Sequence, residues 1–267
     1  MQDKIQQLRK QLIKKAKKQV QVRYAESDVH IIRAVSLLQD LDAGFNLLAE
    51  NCIEWYSAHF PELHNIVKDN ETYLKLVQEL GDRANFTEKN AAEIIKERER
   101  RKRVLDAAKK SMGSEIQKDV LEAIKMLSKN ALSLKKERLL LESLIGKQMQ
   151  GYAPNTAGLA GPILGARLIA AASGLKQLAM MPASTIQLLG AEKALFRHIR
   201  DRKIKGPKYG HIYGHALVKK QPAKHKGKVA RSLAGKLSIA ARADYFHGEN
   251  ISEKLKQELE ERAKQLD

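Results

Sequence analysis

The chain contains few cysteine, proline and aromatic residues. It has one cysteine and six prolines in 267 residues, and only 5% of its residues are aromatic. One cysteine cannot form an internal disulfide, so a reducing, cytoplasmic compartment is expected. Apolar neighbours of Cys52, including Leu48 and Ile53, predict a buried thiol rather than a nucleophile.

The sequence also lacks a run that would cross a membrane. Its longest weakly charged segment, 153–175, is interrupted by Pro162 and Arg167, whereas a span needs roughly 20 apolar residues. Residues 1–22 have no apolar core followed by a cleavage site. We expect no exposed apolar face on the basic helices described below, and therefore no membrane partner.

Signatures of catalysis are absent as well. There is no phosphate-binding Gly-x-x-x-x-Gly-Lys-Ser/Thr and no Gly-x-Ser-x-Gly. Five histidines lie between residues 198 and 247, but no two of them share a predicted helix face with carboxylates nearby. We predict no catalytic residue, no metal site and no cofactor.

What the sequence does contain is helical periodicity. Alanine, leucine, lysine, glutamate and isoleucine dominate, which predicts an all-α fold. Apolar residues recur every three or four positions over 29–56 and again over 116–149. Two such long helices are typical of an antiparallel coiled-coil hairpin, here with a helical insertion over about 61–112. The mixed charges of 96–103 favour a solvated helix face over a second RNA contact.

These patterns divide the chain into three regions: a basic helical segment over 1–25, a coiled-coil dimerisation domain over 26–150, and a compact helical domain over 151–267. A capping-box spacing at 250–253 predicts the start of the last helix. Leu195, Phe196, Leu233 and Leu237 are predicted core residues of the third region.

Positive charge is concentrated in residues 190–242, which hold 15 lysines and arginines against two acidic residues. Such a surface predicts a polyanionic partner. Each of two predicted helices carries its basic residues on one face: Lys193, Arg197 and Arg200 on the first; Lys224, Lys228, Arg231 and Arg242 on the second. The small residues Gly235 and Ser238 are expected to let a sugar-phosphate backbone approach the second helix.

The loop 206–215 between these helices favours RNA over DNA. It combines cations with tyrosine and histidine rings, on which unpaired RNA bases can stack. Tyr213 and His215 are the candidates for base contacts. An ordinary loop whose tyrosines pack on the domain is an equal alternative.

Several segments resemble the Nop-domain family. Gly190-Ala191-Glu192-Lys193-Ala194-Leu195-Phe196-Arg197 is similar to its signature. Further similar segments are 153–155, 161–169, 181–187, 207–215 and 228–242, with 28–35 and 54–63 in the predicted hairpin. The resemblance runs from about residue 24 to about residue 247.

The resemblance implies a non-catalytic core protein of archaeal box C/D guide ribonucleoproteins, which direct 2′-O-methylation of ribosomal RNA. In that family the Nop domain binds a kink-turn RNA together with a ribosomal-like protein, and the coiled coil self-associates. A separate N-terminal domain holds the methyltransferase fibrillarin. The 25 residues before the predicted hairpin are fewer than that domain needs, so fibrillarin recruitment is not expected of them.

The charge pattern and the resemblance together predict contacts for the basic region. The expected RNA-binding residues are Lys193, Arg197, Arg200, Lys203, Lys208, Tyr213, His215, Lys224, Lys228, Arg231, Lys236 and Arg242. Gly190, Ala191 and Glu192 are expected to contact the protein partner, and backbone N–H groups near Gly190 and Ala191 to offer an anion site.

Two alternative functions remain open. One is a spliceosomal-type Nop-domain protein, although the form of the 190–197 segment favours an archaeal one. The other is a dimeric coiled-coil adaptor whose basic domain binds any polyanion.

Overall fold

A computed structural model describes residues 27–265, together with Arg9, Leu12 and Ile13. Every regular element of this part is helical, which confirms the predicted all-α fold. Apart from those three positions, the predicted segment 1–25 lies outside the described residues. None of the helices in the described part is long and apolar enough to cross a membrane. The described residues divide into two compact units, one formed by Leu37–Leu141 and the other by the described residues up to Ser36 together with those from Glu142 onward.

Two long helices form the predicted hairpin, and most of their residues belong to the Leu37–Leu141 unit. They are α1, Ser27–Tyr56, and α6, Lys118–Tyr152. Asp42 forms an ion pair with Arg138, while Cys52 Sγ lies 3.0 Å from Ser128 Oγ. From the first contact to the second, the residue number rises in α1 and falls in α6. The two helices are therefore antiparallel. Cys52 is buried as predicted, and burial raises the pKa of its thiol.

Four short helices and one 3₁₀ turn fill the insertion. These are α2 Pro61–Ile66, α3 Asn70–Glu79, the turn Arg83–Asn85, α4 Glu88–Ile94 and α5 Arg98–Lys110. Local caps start two of them: Asp69 accepts from the Thr72 N–H, and Thr87 from the Asn90 N–H. Within the charged run, Arg101 is partly buried and pairs with Glu88 at 2.7 Å, so this run includes a structural contact as well as solvated side chains.

The second unit is built around one long helix. Its elements are α7 Pro154–Ala160, α8 Pro162–Ala171, α9 Leu175–Met180, α10 Ala183–Leu188, α11 Glu192–Arg200, a 3₁₀ turn His211–Gly214, α12 Ala216–Lys220, α13 Ala223–Tyr245 and α14 Ser252–Lys264. Helix α13 packs against α7, α9, α10 and α14. Its apolar seam, with Val229, Leu233 and Leu237 spaced every four residues, is buried.

A buried carboxylate joins the end of α13 to the start of α7. Asp244 accepts hydrogen bonds from the backbone N–H groups of Asn155 and Thr156, both at 2.8 Å. These N–H groups have no partner inside α7 because they belong to its first turn. Asp244 therefore caps a helix from 88 or more residues away along the chain.

Two predictions about this unit are wrong. The last helix does begin within the predicted segment, at Ser252, but the capping box itself does not form: Asn250 accepts from the backbone and hydroxyl of Ser252, and no side chain caps the helix. Phe196 is not a core residue, since 64% of it is exposed. Leu233 and Leu237 are buried as predicted, whereas Leu195 is only partly covered.

Replacing Asp244 should destabilise the protein. In Asp244→Ala two buried N–H donors lose their acceptor, so the free energy of unfolding should fall by about 3 kcal/mol. Urea denaturation followed by circular dichroism measures this, with Glu261→Ala on the exposed face of α14 as the control. Equal denaturation midpoints for the two variants would contradict the capping role.

Candidate nucleic-acid interface

A basic groove lies between helices α10 and α13 and the loop that follows α11. It has a volume of about 650 Å³. Its lining residues are Ser184, Gln187, Leu188, Pro207, Lys208, Lys224, Gly227, Lys228 and Arg231. Four of these, Lys208, Lys224, Lys228 and Arg231, are among the predicted RNA-binding residues. The structure thus brings together cations that are up to 23 positions apart in the sequence.

Sequence reasoning missed the neutral part of this groove. Ser184 and Gln187 offer a hydroxyl and an amide beside the cations. Gly227 is the small residue at the groove, where an added Cβ would lie 3.8 Å from the side chain of Lys208. Our prediction for Ser238 is wrong: it is buried, and its hydroxyl faces Met181 O at 3.5 Å. Only the packing of α10 against α13 shows which face of α13 is exposed to solvent.

Helix α11 presents its basic residues to solvent. Lys193, Arg197 and Arg200 are all exposed. Among the described residues, none of the three forms an ion pair with a carboxylate. Their charges are therefore available to a phosphate without first breaking an intramolecular pair.

The same helix also exposes Phe196 and Ile199, and the loop that follows it exposes Ile204; we call these three side chains the apolar patch. Phe196 and Ile199 are 64% and 53% exposed, and no residue of α11 is buried. Our expectation that the basic helices have no exposed apolar face is therefore wrong. The sequence spacing showed an amphipathic helix but could not show that its apolar side is uncovered.

The segment before α11 is held by internal hydrogen bonds. Glu192 accepts from the Gly190 N–H at 2.6 Å, and the Ala191 N–H donates to Leu188 O at 2.9 Å. Both N–H groups are thus occupied, and the predicted anion site at Gly190 and Ala191 is wrong. Gly190 has a φ of +85°, and an added Cβ would lie 2.4 Å from the ring of His211. Only glycine suits this position.

Hydrogen bonds to α10 and the residue after it fix the loop 206–215. The Gly210 N–H donates to Gln187 O at 2.8 Å and the His211 N–H to Leu189 O at 2.7 Å. Gly210 approaches so closely that a Cβ there would lie 1.9 Å from Leu189 O. The loop therefore presents its side chains from a fixed backbone.

His215 has a structural role in this loop. Its Nδ1 accepts from the Leu217 N–H at 3.3 Å, which caps α12, and its Nε2–H donates to Leu159 O at 3.1 Å. Burial lowers the pKa of His215 below its usual value, so the ring is neutral at pH 7. Both nitrogens are occupied, which leaves neither free for the predicted hydrogen bond to a base.

Tyr213 remains accessible, with 40% of its surface exposed. Its ring stacks on that of Tyr209, with centroids 5.0 Å apart and an interplanar angle of 12°. The ammonium group of Lys226 lies 5.0 Å from the centroid of the Tyr213 ring. The two residues that contact this ring, Tyr209 and Lys226, are thus the sequence neighbours of Lys208 and Gly227 of the groove.

The other predicted cations differ in their surroundings. Lys236 forms an ion pair with Glu258 of α14, and this hydrogen bond lowers the pKa of the Glu258 carboxyl. Arg242 donates to Ala179 O at 3.1 Å. Lys203 is exposed. The described residues contain no cluster of three or more histidine, cysteine or acidic side chains that could hold a metal ion.

Comparison with known proteins identifies the family. Residues 37–265 match the sequence model of the family called Nop, which is described as "snoRNA binding domain, fibrillarin". The chain belongs to the Nop family. The match covers almost all of the described residues, including the groove and the patch of α11.

Several curated relatives cover most of the chain. An uncharacterized NOP5 family protein of Methanocaldococcus jannaschii is 44% identical over 241 residues, which are 90% of this chain and 58% of that protein. Nucleolar protein 58 of Candida albicans is 43% identical over 83% of this chain, and that of Mus musculus 43% identical over 89%. The chain spans 43% of each nucleolar protein.

A solved structure shares the fold. It is a chain from the crystal structure of a fibrillarin/Nop5p complex, with a TM-score of 0.55 and 24% identity. The similarity covers 98% of this chain and 78% of that one.

Two glycine-to-alanine substitutions should change the free energy of unfolding in opposite directions, because one position is strained and the other is not. Gly190→Ala should lower the free energy of unfolding by about 1–3 kcal/mol, because of its positive φ and the clash with His211. Gly235→Ala lies inside α13 with no atom within 4 Å of the new Cβ, so it should raise that free energy by about 0.5–1 kcal/mol. Urea denaturation checks both. Changes of the same sign would contradict this interpretation.

Proposed function

We propose that this Nop-family chain is the RNA-binding scaffold of a box C/D guide ribonucleoprotein. In this role it recognises a kink-turn RNA bound to a ribosomal-like protein and supports guide-directed 2′-O-methylation of ribosomal RNA. The observation that carries the proposal is the basic groove of Lys208, Lys224, Lys228 and Arg231 within a domain of a family described as snoRNA-binding. Phosphates are the natural occupants of such a groove.

The proposed RNA-contacting residues form two groups. Lys193, Arg197 and Arg200 of α11 contact one stretch of the backbone, and the four groove cations contact another. Lys203 and Arg242 are exposed and remain proposed phosphate contacts, Arg242 through the guanidinium nitrogens other than the Nε that donates to Ala179 O. Tyr213 stacks on an unpaired base. Lys236 is left out because its ammonium group already pairs with Glu258. His215 remains a proposed contact only through stacking, because both of its ring nitrogens have partners in the protein.

Helix α11 suits a partner that is part protein and part RNA. Its exposed cations attract phosphates, whereas the apolar patch of Phe196, Ile199 and Ile204 gains little from a phosphate backbone. A protein surface would remove this patch from water. We therefore assign the cations to the RNA and the patch to the ribosomal-like protein. Glu192 lies in the first turn of the same helix, directly after Gly190 and Ala191, and these three residues remain proposed contacts to that protein.

We also propose that the hairpin self-associates. Large apolar side chains are exposed along α1 and α6 in the Leu37–Leu141 unit. They are Leu37, Leu47, Trp55, Met126, Leu139 and Leu140. A shallow cavity beside Trp55 is lined by Leu47, Leu48 and Leu127. A second copy of the hairpin would cover this surface, as coiled-coil partners do.

In this proposal the chain is a non-catalytic subunit, and fibrillarin supplies the methyltransferase activity. No described residue is assigned to fibrillarin contact. The archaeal relative supports an archaeal cytoplasm as the location. The spliceosomal-type protein and the general polyanion binder remain the alternatives to be excluded by experiment.

A gel shift at near-physiological salt tests the proposal. The chain should bind a box C/D kink-turn RNA much more tightly when the ribosomal-like protein is already bound, and heparin should compete poorly. Weak binding that is independent of the protein and abolished by heparin would reduce the groove to a general polyanion site.

Arg197→Ala should weaken binding to the preformed complex by on the order of 1–3 kcal/mol, because a charge-assisted contact is lost. Arg262→Ala on α14 is the matched control, since it removes an exposed arginine away from the groove. If circular dichroism shows both variants folded and their affinities are equal, Arg197 does not contact the RNA.

Phe196→Ser should affect only the protein part of the interface. Because Phe196 is largely exposed, the variant should fold normally. Its affinity for the preformed complex should fall about tenfold, as for a central apolar contact, while its affinity for RNA alone stays unchanged. Parallel gel shifts with and without the ribosomal-like protein measure the two values. An equal loss in both would assign Phe196 to RNA instead.

A further inference from the structure

Two side chains outside the predicted set, Tyr209 and Lys226, surround the ring of Tyr213. Tyr209 stacks nearly parallel to it, at a centroid distance of 5.0 Å. Lys226 lies 5.0 Å from the ring centroid, and its ammonium nitrogen is 3.4 Å from the Tyr213 hydroxyl oxygen. Tyr213 is thus held at its ring by one neighbour and at its hydroxyl by another.

The backbone beneath this ring is fixed as well. The Tyr213 N–H donates to Gly210 O at 3.1 Å, and Gly210 is itself hydrogen-bonded to Gln187. The neighbouring Ile212 is fully buried. An exposed tyrosine on a surface loop ordinarily has several accessible rotamers, and binding must select one of them. Here the neighbours have already restricted the ring.

We propose that Tyr209 and Lys226 are positioning residues that hold Tyr213 as a preorganised stacking surface for one unpaired base of the RNA. This inference rests on the proposed function. The chain supports it further, because Lys208 precedes Tyr209 and Gly227 follows Lys226, and both Lys208 and Gly227 line the basic groove. A nucleotide whose phosphate lies in the groove would have its base beside Tyr213.

The two residues act differently. Tyr209 extends the aromatic surface and restricts the tilt of the Tyr213 ring, as offset-stacked pairs do. Lys226 restrains the hydroxyl end through a hydrogen bond and a cation–π contact. Neither needs to touch the base itself.

The test compares intact and abasic RNA. A box C/D kink-turn RNA saturated with its ribosomal-like protein is prepared in versions that each replace one unpaired nucleotide with an abasic one. With the unsubstituted 267-residue chain, one of these replacements should weaken binding on the order of 5- to 100-fold, the range for loss of a base stacked on an aromatic ring. Tyr213→Ala should bind the intact RNA and this abasic RNA equally.

The positioning role predicts an intermediate result for the neighbours. Tyr209→Leu and Lys226→Met should each reduce the ratio of the two affinities several-fold, whereas Tyr209→Phe should retain it. Lys219→Met, which removes an exposed charge outside the groove, should leave the ratio unchanged. A merely electrostatic role for Lys226 would lower both affinities alike and keep the ratio, which would overturn its assignment.

Two further outcomes would overturn the inference. If no abasic replacement weakens binding of the unsubstituted chain, Tyr213 stacks on no base. If Tyr209→Leu is folded by circular dichroism and retains the full ratio, Tyr209 does not position the ring. In both cases tight binding that depends on the ribosomal-like protein would still stand, so failure of this inference is distinct from failure of the proposed function.

Discussion

The packing of α13 is the interaction on which the RNA-binding unit depends. One face of this helix buries Val229, Leu233 and Leu237 against its neighbours. Another face contributes Lys224, Lys228 and Arg231 to the groove. Because side chains on one helix keep fixed angular relations, burial of the first face sets the direction of the second. The groove is therefore positioned by apolar packing rather than by contacts among the charged residues.

Like charges placed so close together repel one another, and the fold has to tolerate this. Lys236 is neutralised by Glu258, and Arg242 is held at the end of α9 by Ala179 O. The groove lysines have no such carboxylate partners among the described residues. Their repulsion lowers stability in the free protein and would be relieved by a bound polyanion. The groove lysines thus lower the stability of the free protein and would stabilise its complex with a polyanion.

Much of the fold follows from sequence spacing. The hairpin helices, which are 30 and 35 residues long, were predictable because apolar residues recur every three or four positions over most of their length. The basic residues of the groove were predictable because the region has almost no acids. The position of each residue within the groove was not predictable from the sequence. Gly227 and Gln187 are 40 residues apart, and only tertiary packing places them together.

The wrong predictions have a common cause. Phe196 was assigned to the core because it is apolar, and Gly190 and Ala191 to an anion site because they precede a helix. Each inference used only the residue type or its place before a helix, whereas the outcome depended on the neighbours that the fold supplies. No element covers Phe196 among the described residues, and Leu188 O and Glu192 occupy the two N–H groups. His215 likewise obtained its role from Leu159, which is 56 positions away.

The absence of any buried residue in α11 has a consequence for its motions. A nine-residue helix is too short to be stable on its own propensity, and most helices of this length depend on a packed face. Its amide hydrogens should therefore exchange with solvent through local opening long before those of α13, whose seam is buried. A partner that covers α11 would slow this exchange. The exchange rate of the α11 amide hydrogens therefore reports whether the partner is bound.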